Sequence, residues 1–201
     1  MLALTILRTL AIAILFTFVS VGSHAAPVPP GAFVKNLANE VLAIFNNPQI
    51  PLPEREKRMY AIALRDFDLP YTARFVLGYP WRTATPQEKL DFTDAYQRYI
   101  VHAYTGQFEL YHDVDFDVLS TRAETPTQWV VSTQIRRRNG RPPIRVDWRV
   151  VLAADNYKII DVNIEGISQI VTLRDQFSAL MQREQGGIPM LIQHLKEKSQ
   201  N

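Results

Sequence analysis

The sequence predicts an α+β fold in which helices from both ends of the chain pack on one face of a curved, four-stranded antiparallel sheet. The central block, residues 116–165, is rich in β-branched and aromatic residues at strand periodicity. On both sides of this block, apolar residues recur at helical spacing. The Asn-Gly pair at 139–140 is a strong hairpin signal, because a type I′ turn needs positive φ at both central residues. We therefore expect one domain with its sheet in the middle of the chain.

The hairpin centred on Asn139-Gly140 predicts a register for its arms, Trp129–Arg138 and Arg141–Leu152. A two-residue turn places Arg138 opposite Arg141. One face then carries Trp129, Val131, Thr133, Ile135, Ile144, Val146, Trp148 and Val150. The other face suits water and carries Ser132, Gln134, Arg136, Arg145, Asp147 and Arg149.

Four helices are predicted before the sheet. Apolar spacing indicates one over residues 33–45 and a second from about Pro53. A short third helix follows Asp68-Leu69-Pro70 and ends at Gly78. The fourth opens at the capping box Thr85-Pro86-Gln87-Glu88 and runs through the aromatic segment to Tyr104.

The remaining strands and helices follow from the same signals. We expect outer strands at Phe116–Thr121 and Tyr157–Glu165, with Gly166 breaking the second of them. A helix from about Ser168 should end at Gly186-Gly187, and a last helix should begin at Pro189.

The first residues read as an export signal. Arg8 precedes an apolar run, Leu10–Val21, that is too short to span a bilayer, and Ser23–Ala26 supplies a small-x-small cleavage site. We expect residues 1–25 to be a cleaved signal peptide and residues 26–201 to form a single domain. An uncleaved N-terminal anchor is the alternative.

Composition excludes several classes of function. The chain has no cysteine, which removes thiol catalysis, disulfide exchange and cysteine-based zinc sites. It carries 22 Lys and Arg against 20 Asp and Glu, so it lacks the basic excess of a general nucleic-acid binder.

Few residues suggest catalysis. The sequence has no glycine-rich phosphate loop, no Gly-x-Ser-x-Gly and no His-Glu-x-x-His. The carboxylate-rich segment His112–Asp117 does not have calcium-loop spacing and is interpreted as a solvated strand face rather than a metal site. His102 in the aromatic helix is the one candidate general base, with a position at the edge of a core as the alternative.

Four arginines concentrate at the hairpin end: Arg136, Arg137, Arg138 and Arg141. Arginine suits forked contacts with phosphate, so this cluster is typical of an acidic ligand or partner. A charged end that protects the sheet from edge-to-edge aggregation is an equally good interpretation.

The apolar residues form a larger set, and their pattern does not distinguish a packed core from an apolar cavity. On the sheet they are Val131, Ile135, Ile144, Val146, Trp148, Val162 and Ile164. We expect them to face helices that supply Phe75, Val76, Leu77, Tyr99, Tyr104, Phe177 and Leu180.

Four stretches carry a resemblance to a known family: Val76–Gly78, Trp81–Pro86, Asn139–Asp147 and Asp161–Ser168. In order and spacing the chain resembles the MlaC (toluene-tolerance) family, periplasmic lipid-transfer proteins of Gram-negative bacteria, from about Val34 to Leu195. The Gly-Arg-Pro-Pro-x-Arg-x-Asp stretch is its most specific part. The hopanoid-associated branch (HpnM) is similar over the same span.

The resemblance implies an NTF2-like α+β cone without catalytic activity or cofactor, and a cargo of phospholipid. It implies shuttling between an outer-membrane lipoprotein complex and an inner-membrane ABC transporter with its substrate-binding subunit, which maintains outer-membrane lipid asymmetry. Arg136, Arg138, Arg141 and Arg145 are candidates for contacts with the head group or with a partner. By position, the acyl-chain pocket would be lined by Phe75, Val76, Leu77, Tyr104, Val131, Thr133, Ile135, Ile144, Val146, Trp148, Val162, Ile164 and Ile167.

Three alternatives remain open at this point. One is a carrier of hopanoids or another apolar lipid, and another is a small-molecule enzyme of NTF2-like fold that uses His102. A lipid-free adaptor that bridges two envelope complexes is the third, and it would depend on the arginines of the hairpin end.

Overall fold

The computed structural model describes residues 28–108, 114–138, 140–154 and 156–200. Seven helices and five strands lie within these ranges. The helices before the sheet are α1 Pro30–Phe45, α2 Leu52–Asp66, α3 Leu69–Leu77, α4 Pro80–Thr83 and α5 Pro86–Phe108. The strands are β1 Val114–Thr125, β2 Gln128–Arg137, β3 Ile144–Ala153, β4 Asn156–Ile164 and β5 Ile167–Ser168. The chain continues with α6 Gln169–Glu184 and α7 Gly187–Lys198.

Two of the predicted helix starts, at Asp68 and Thr85, are confirmed by their caps. The Asp68 carboxylate accepts a hydrogen bond from the Tyr71 backbone N–H at 3.0 Å. In the capping box, the Thr85 N–H donates to Glu88 Oε2 at 2.8 Å, and the Glu88 N–H donates to Thr85 Oγ1 at 3.2 Å. These bonds satisfy backbone donors that have no partner within the helix. The four-residue helix α4 was not predicted.

The sheet is antiparallel in the order β1-β2-β3-β4-β5. The predicted register of the central hairpin is confirmed, with Ile135 opposite Ile144 and Trp129 opposite Val150. The four predicted strands are joined by the short β5. Glu165 and Gly166 both have positive φ, 51° and 82°, as a two-residue type I′ turn requires. The expected break at Gly166 is thus a tight turn that adds one more strand pair.

The predicted two-residue turn between the hairpin arms is wrong. Pairing of β2 with β3 stops at Ile135 and Ile144, so Arg138 and Arg141 lie in a longer loop. Pro142 and Pro143 cannot donate backbone hydrogen bonds, which ends the ladder early. Gly140 has the expected positive φ of 76°, and Asn139 lies outside the described residues.

Buried apolar residues form two clusters. In the sheet core, α1 and α2 pack on one face of the sheet, which we call the inner face, through residues such as Val34, Val41 and Ile62. The helical core is built from α3, α5, α6 and α7 around Phe92, Phe177 and Leu191. Every helix in the described ranges is too short or too polar to span a bilayer.

The two clusters correct one prediction. Helical residues expected to face the sheet pack instead in the helical core: Phe75, Val76, Leu77, Tyr99, Phe177 and Leu180. Helical periodicity identifies the apolar side of a helix but not the element that covers it.

Candidate functional site

The sheet residues of the predicted pocket lie together on the inner face. Strand pairing aligns Thr133 with Val146 and aligns Val146 with Ile164, so neighbouring side chains on three strands share one face. Ile164 in turn pairs with Ile167 of β5. The set brought together is Val131, Thr133, Ile135, Ile144, Val146, Trp148, Val162, Ile164 and Ile167.

One end of the inner face is sealed. Val131, Val150 and Ile159 are 0% exposed, and we call this region the closed end. Helix α1 lies very near the sheet here, because a Cβ built on Gly31 would come within 2.7 Å of Thr121 Oγ1. A side chain at position 31 would require either the Thr121 side chain or the helix to shift, so glycine permits this close contact.

The opposite end of the inner face, near the β2–β3 loop, is less covered. Ile135, Ile144 and Ile164 are only partly buried, and Ile167 is 60% exposed. Val171 on the first turn of α6 is a further exposed apolar residue. We call Ile135, Ile144, Ile164 and Ile167 the open end. Its side chains form an apolar rim at the surface of the sheet.

The one polar side chain within the predicted sheet set has its hydrogen bonds satisfied. Thr133 Oγ1 donates to the Val146 carbonyl oxygen at 2.8 Å and accepts from Trp148 Nε1 at 3.0 Å. Thr133 is completely buried, and its partners lie on the adjacent strand. Because these polar atoms already have partners, the surface that they present to a ligand is in effect apolar.

A buried carboxylate joins the sheet to the helical core. Asp161 on β4 is 5% exposed, and its Oδ2 accepts from Ser168 Oγ at 2.7 Å. Its Oδ1 accepts from the backbone N–H groups of Val162, at 2.8 Å, and Ile170, at 3.3 Å. We call this set the Asp161 clamp. Anions are favourable at a helix N-terminus, so the clamp fixes the start of α6 beside the open end.

The predicted contact residue Tyr104 lies at the same junction. Its hydroxyl donates to Gln169 Oε1 at 3.2 Å, which ties α5 to the start of α6. Burial raises the pKa of Tyr104 to about 12, so the phenol keeps its proton and remains a donor at neutral pH.

The predicted residues of α3 lie elsewhere. Val76 and Leu77 are 1% and 2% exposed within the helical core. The ring of Phe75 lies under the guanidinium of Arg174, with 5.4 Å between Arg174 Cζ and the ring centroid. The structure therefore places these three residues in the helical core and not with the sheet residues of the predicted pocket.

Two of the predicted docking arginines are paired with aspartates of β1. Arg136 Nε lies 2.7 Å from Asp117 Oδ2, and Arg138 Nη2 lies 3.1 Å from Asp115 Oδ1. The hydrogen bond from Arg136 lowers the pKa of Asp117. Asp115 and Asp117, which were expected only to face solvent, thus orient these arginines. They do so on the side of the sheet opposite the inner face, which we call the outer face.

The other two docking candidates lie near the β2–β3 loop. Arg141 is exposed within it. Arg145 follows on β3, where its backbone N–H donates to the Glu165 carboxylate and its side chain is 3.9 Å from Asp147 Oδ1.

The catalytic candidate His102 pairs with a glutamate of α2. Its Nδ1 is 3.3 Å from Glu56 Oε1 beside an open cavity of about 390 Å³ that Tyr60 and Arg98 also line. A second cavity, of about 560 Å³, lies beside Phe33. Neither cavity is lined by a predicted lipid-contact residue.

The described residues contain no group of three or more His, Cys, Asp or Glu that could hold a metal ion. His112 and Asp113, from the carboxylate-rich segment, lie outside the described residues.

Together, the open antiparallel sheet and the helices packed against it define an α+β protein consistent with the NTF2-like fold. The family model described as MlaC protein matches residues 35–197, and the chain belongs to the MlaC family. The predicted resemblance is therefore confirmed.

A solved structure of the same fold is the phospholipid-binding protein from Ralstonia solanacearum, determined in complex with a phospholipid at 1.53 Å resolution. The two structures superpose with a TM-score of 0.70 and 23% sequence identity. The match covers 84% of this chain and 96% of that chain.

Proposed function

We propose that this protein is a periplasmic carrier that binds the acyl chains of a phospholipid along the inner face of its sheet. Membership of the MlaC family supports the proposal, as does the relative of the same fold that was solved with a phospholipid. The observation that carries it is the apolar rim of the open end, where Ile167 stands 60% exposed beside half-buried isoleucines. An exposed apolar patch of this kind is typical of a binding surface.

The energetics of acyl chains suit a carrier of this design. Two chains contain roughly 30 methylenes, and at ~0.8 kcal/mol each their removal from water is worth about 24 kcal/mol. A bilayer shields the same methylenes, so exchange between a membrane and the protein lies near zero. An apolar surface with satisfied polar groups can then accept and release lipid with little net change in free energy.

Entry at the open end requires the sheet and the helices to separate there. The closed end is filled by the protein's own side chains, and the two described cavities lie elsewhere. The tails would therefore insert past Ile144 and Ile164 toward Val146 and Trp148. Cores are closely packed, so this insertion must displace side chains or helices rather than fill an existing void.

We further propose that the carrier exchanges lipid with an outer-membrane lipoprotein complex and an inner-membrane ABC transporter. The arginines Arg136, Arg138, Arg141 and Arg145 lie on or next to the β2–β3 hairpin end and suit an acidic docking surface. Arg136 and Arg138 are already oriented by Asp117 and Asp115, which reduces the ordering that docking would require.

Native mass spectrometry of the full chain, expressed with its leader in a Gram-negative host, tests the proposal. We expect the protein to carry intact phospholipid, identified after extraction. A chain that carries only hopanoid would support the alternative cargo. A chain without lipid that also fails to take lipid from vesicles would overturn the proposal.

Quenching of tryptophan fluorescence tests the location of the tails. The chain has three tryptophans, at positions 81, 129 and 148. With Trp81 and Trp129 changed to Phe, we expect phospholipids with brominated tails to quench Trp148 strongly. In the matched control, Trp129→Phe/Trp148→Phe, Trp81 remains in the helical core and should be quenched much less. Equal quenching would place the tails elsewhere.

A further inference from the structure

Arg137 differs from its two arginine neighbours because it lies on the other face of β2. Side chains alternate along a strand, so Arg137 shares the inner face with Ile135 while Arg136 does not. Its partner across the β1–β2 ladder is Val114, which is buried. Residues two apart on one strand are separated by about 7 Å, which places the Arg137 backbone directly beyond the apolar rim.

One nitrogen of the Arg137 guanidinium has a hydrogen-bond partner, and another has none. Its Nη2 donates to the Pro142 carbonyl oxygen at 3.0 Å, which orients the group across the β2–β3 loop. Its Nε is buried and has no hydrogen-bond partner in the described part of the chain. Among these residues no carboxylate forms an ion pair with it, whereas Arg136 and Arg138 each have an aspartate. A buried donor without a partner is unfavourable and gains most from an anion.

We infer that Arg137 is a subsite for the phosphate of the bound lipid at the mouth of the inner face. This inference rests on the proposed function, because it adds the group that holds the head to the surface that holds the tails. The Nε–H and a free Nη–H form the fork that matches two phosphate oxygens. Tails lying along Ile135 and Ile144 would bring the phosphate to this fork, at the boundary between apolar surface and water.

The inference predicts discrimination between two lipids with identical tails. Vesicles containing equal amounts of dioleoyl-phosphatidylglycerol and dioleoylglycerol are offered to the purified protein, and the lipid taken up is extracted and quantified. We expect wild type to prefer the phosphate-bearing lipid roughly tenfold, the effect of one charge-assisted hydrogen-bonded contact. Arg137→Gln should take up the two lipids equally, and Arg137→Lys should lie between them because it keeps the charge but lacks the fork.

Two other arginines make the test specific. Arg149→Gln is the matched control, because Arg149 lies on the outer face with its Nη2 3.5 Å from Glu124 Oε2. This variant should keep the wild-type preference for the phosphate-bearing lipid. Arg136→Gln tests the rival assignment of the head group to the outer-face arginines. Loss of the preference in Arg136→Gln, with Arg137→Gln unchanged, would overturn the inference. Circular dichroism melting of each variant checks the fold.

Further outcomes separate the inference from the proposed function. Wild type that takes up neither lipid would contradict the carrier itself. Equal uptake of the two lipids by wild type would leave the carrier standing and remove the phosphate subsite. Inorganic phosphate tests whether Arg137 instead binds free anions. The lipid assignment would be wrong if phosphate raised the melting temperature of wild type but not of Arg137→Gln while wild type showed no preference between the two lipids.

Discussion

The two ends of one sheet face have different exposure although their residue types are similar. At the closed end, valine and isoleucine are 0% exposed beneath α1, while at the open end isoleucines are partly buried and Ile167 is 60% exposed. β-Branched residues suit a strand at either end. Exposure rather than residue type therefore separates the part of the face that holds the fold from the part we assign to cargo.

The largest expected effect is on stability at the closed end. Ile159→Ala removes a fully buried side chain and should lower the free energy of unfolding by about 3 kcal/mol, since the surroundings cannot collapse into the space. Ile164→Ala, the same change at the open end, should cost about 1 kcal/mol because its side chain is partly exposed. Guanidinium denaturation measures both. Equal costs would contradict the distinction between the two ends.

The Asp161 clamp should rank second. Asp161→Asn leaves one acceptor oxygen where two now receive three hydrogen bonds, and it should cost about 1–3 kcal/mol in the free energy of unfolding. Asp115→Asn is the control, because Asp115 forms a solvent-exposed ion pair that should contribute under 1 kcal/mol. A loss no larger than that of the control would show that the clamp does not hold α6.

At the rim, the effect should appear in binding rather than in stability. Ile167→Ser should change the free energy of unfolding by less than about 0.5 kcal/mol, as expected for an exposed position. We expect it to slow lipid uptake from vesicles several-fold, because the first apolar contact for the tails is lost. Leu119→Ser, at a residue 52% exposed on β1, is the matched control and should leave uptake unchanged. Similar uptake by both variants would remove the rim from the entry route.

The smallest expected effect is the pH dependence of stability contributed by the capping box of α5. Hydrogen bonds from the Thr85 backbone and hydroxyl lower the pKa of Glu88 in the folded protein. The charged form therefore stabilises the fold at neutral pH, and this contribution is lost as pH falls through the lowered pKa. Glu88→Gln should have a slightly lower urea midpoint than wild type at neutral pH and an equal one below that pKa. A difference that persists in acid would have another cause.

Local signals explain what the sequence predicts well. The register of Ile135 with Ile144 follows from the alternation of apolar residues around one Gly-containing turn, and the caps at Asp68 and Thr85 involve residues within one helical turn. The longer loop could have been inferred from Pro142 and Pro143, because two residues without N–H groups cannot continue a ladder.

Contacts that form only once the chain has folded explain the features that the sequence analysis did not predict. The pairing of Arg136 with Asp117 depends on the β1–β2 alignment, which an irregularity between Val118 and Ser120 shifts. Asp161 stands only seven residues before Ser168, but its buried role appears only once the Glu165-Gly166 turn folds them together. The division of helices between two cores leaves no periodic signal, so helical spacing alone predicts Phe75–Leu77 against the sheet.

The turn at Glu165-Gly166 has a consequence for evolution and engineering. Gly166 has φ 82° with open space around it, so a larger residue there would fit sterically but strain the backbone. The residue after it is Ile167, the most exposed isoleucine of the chain's described part. Because α6 starts at Gln169, two residues after Ile167, we expect a change in this turn to shift both Ile167 and the start of the helix. The two left-handed residues of this turn thus orient both Ile167 and the start of α6.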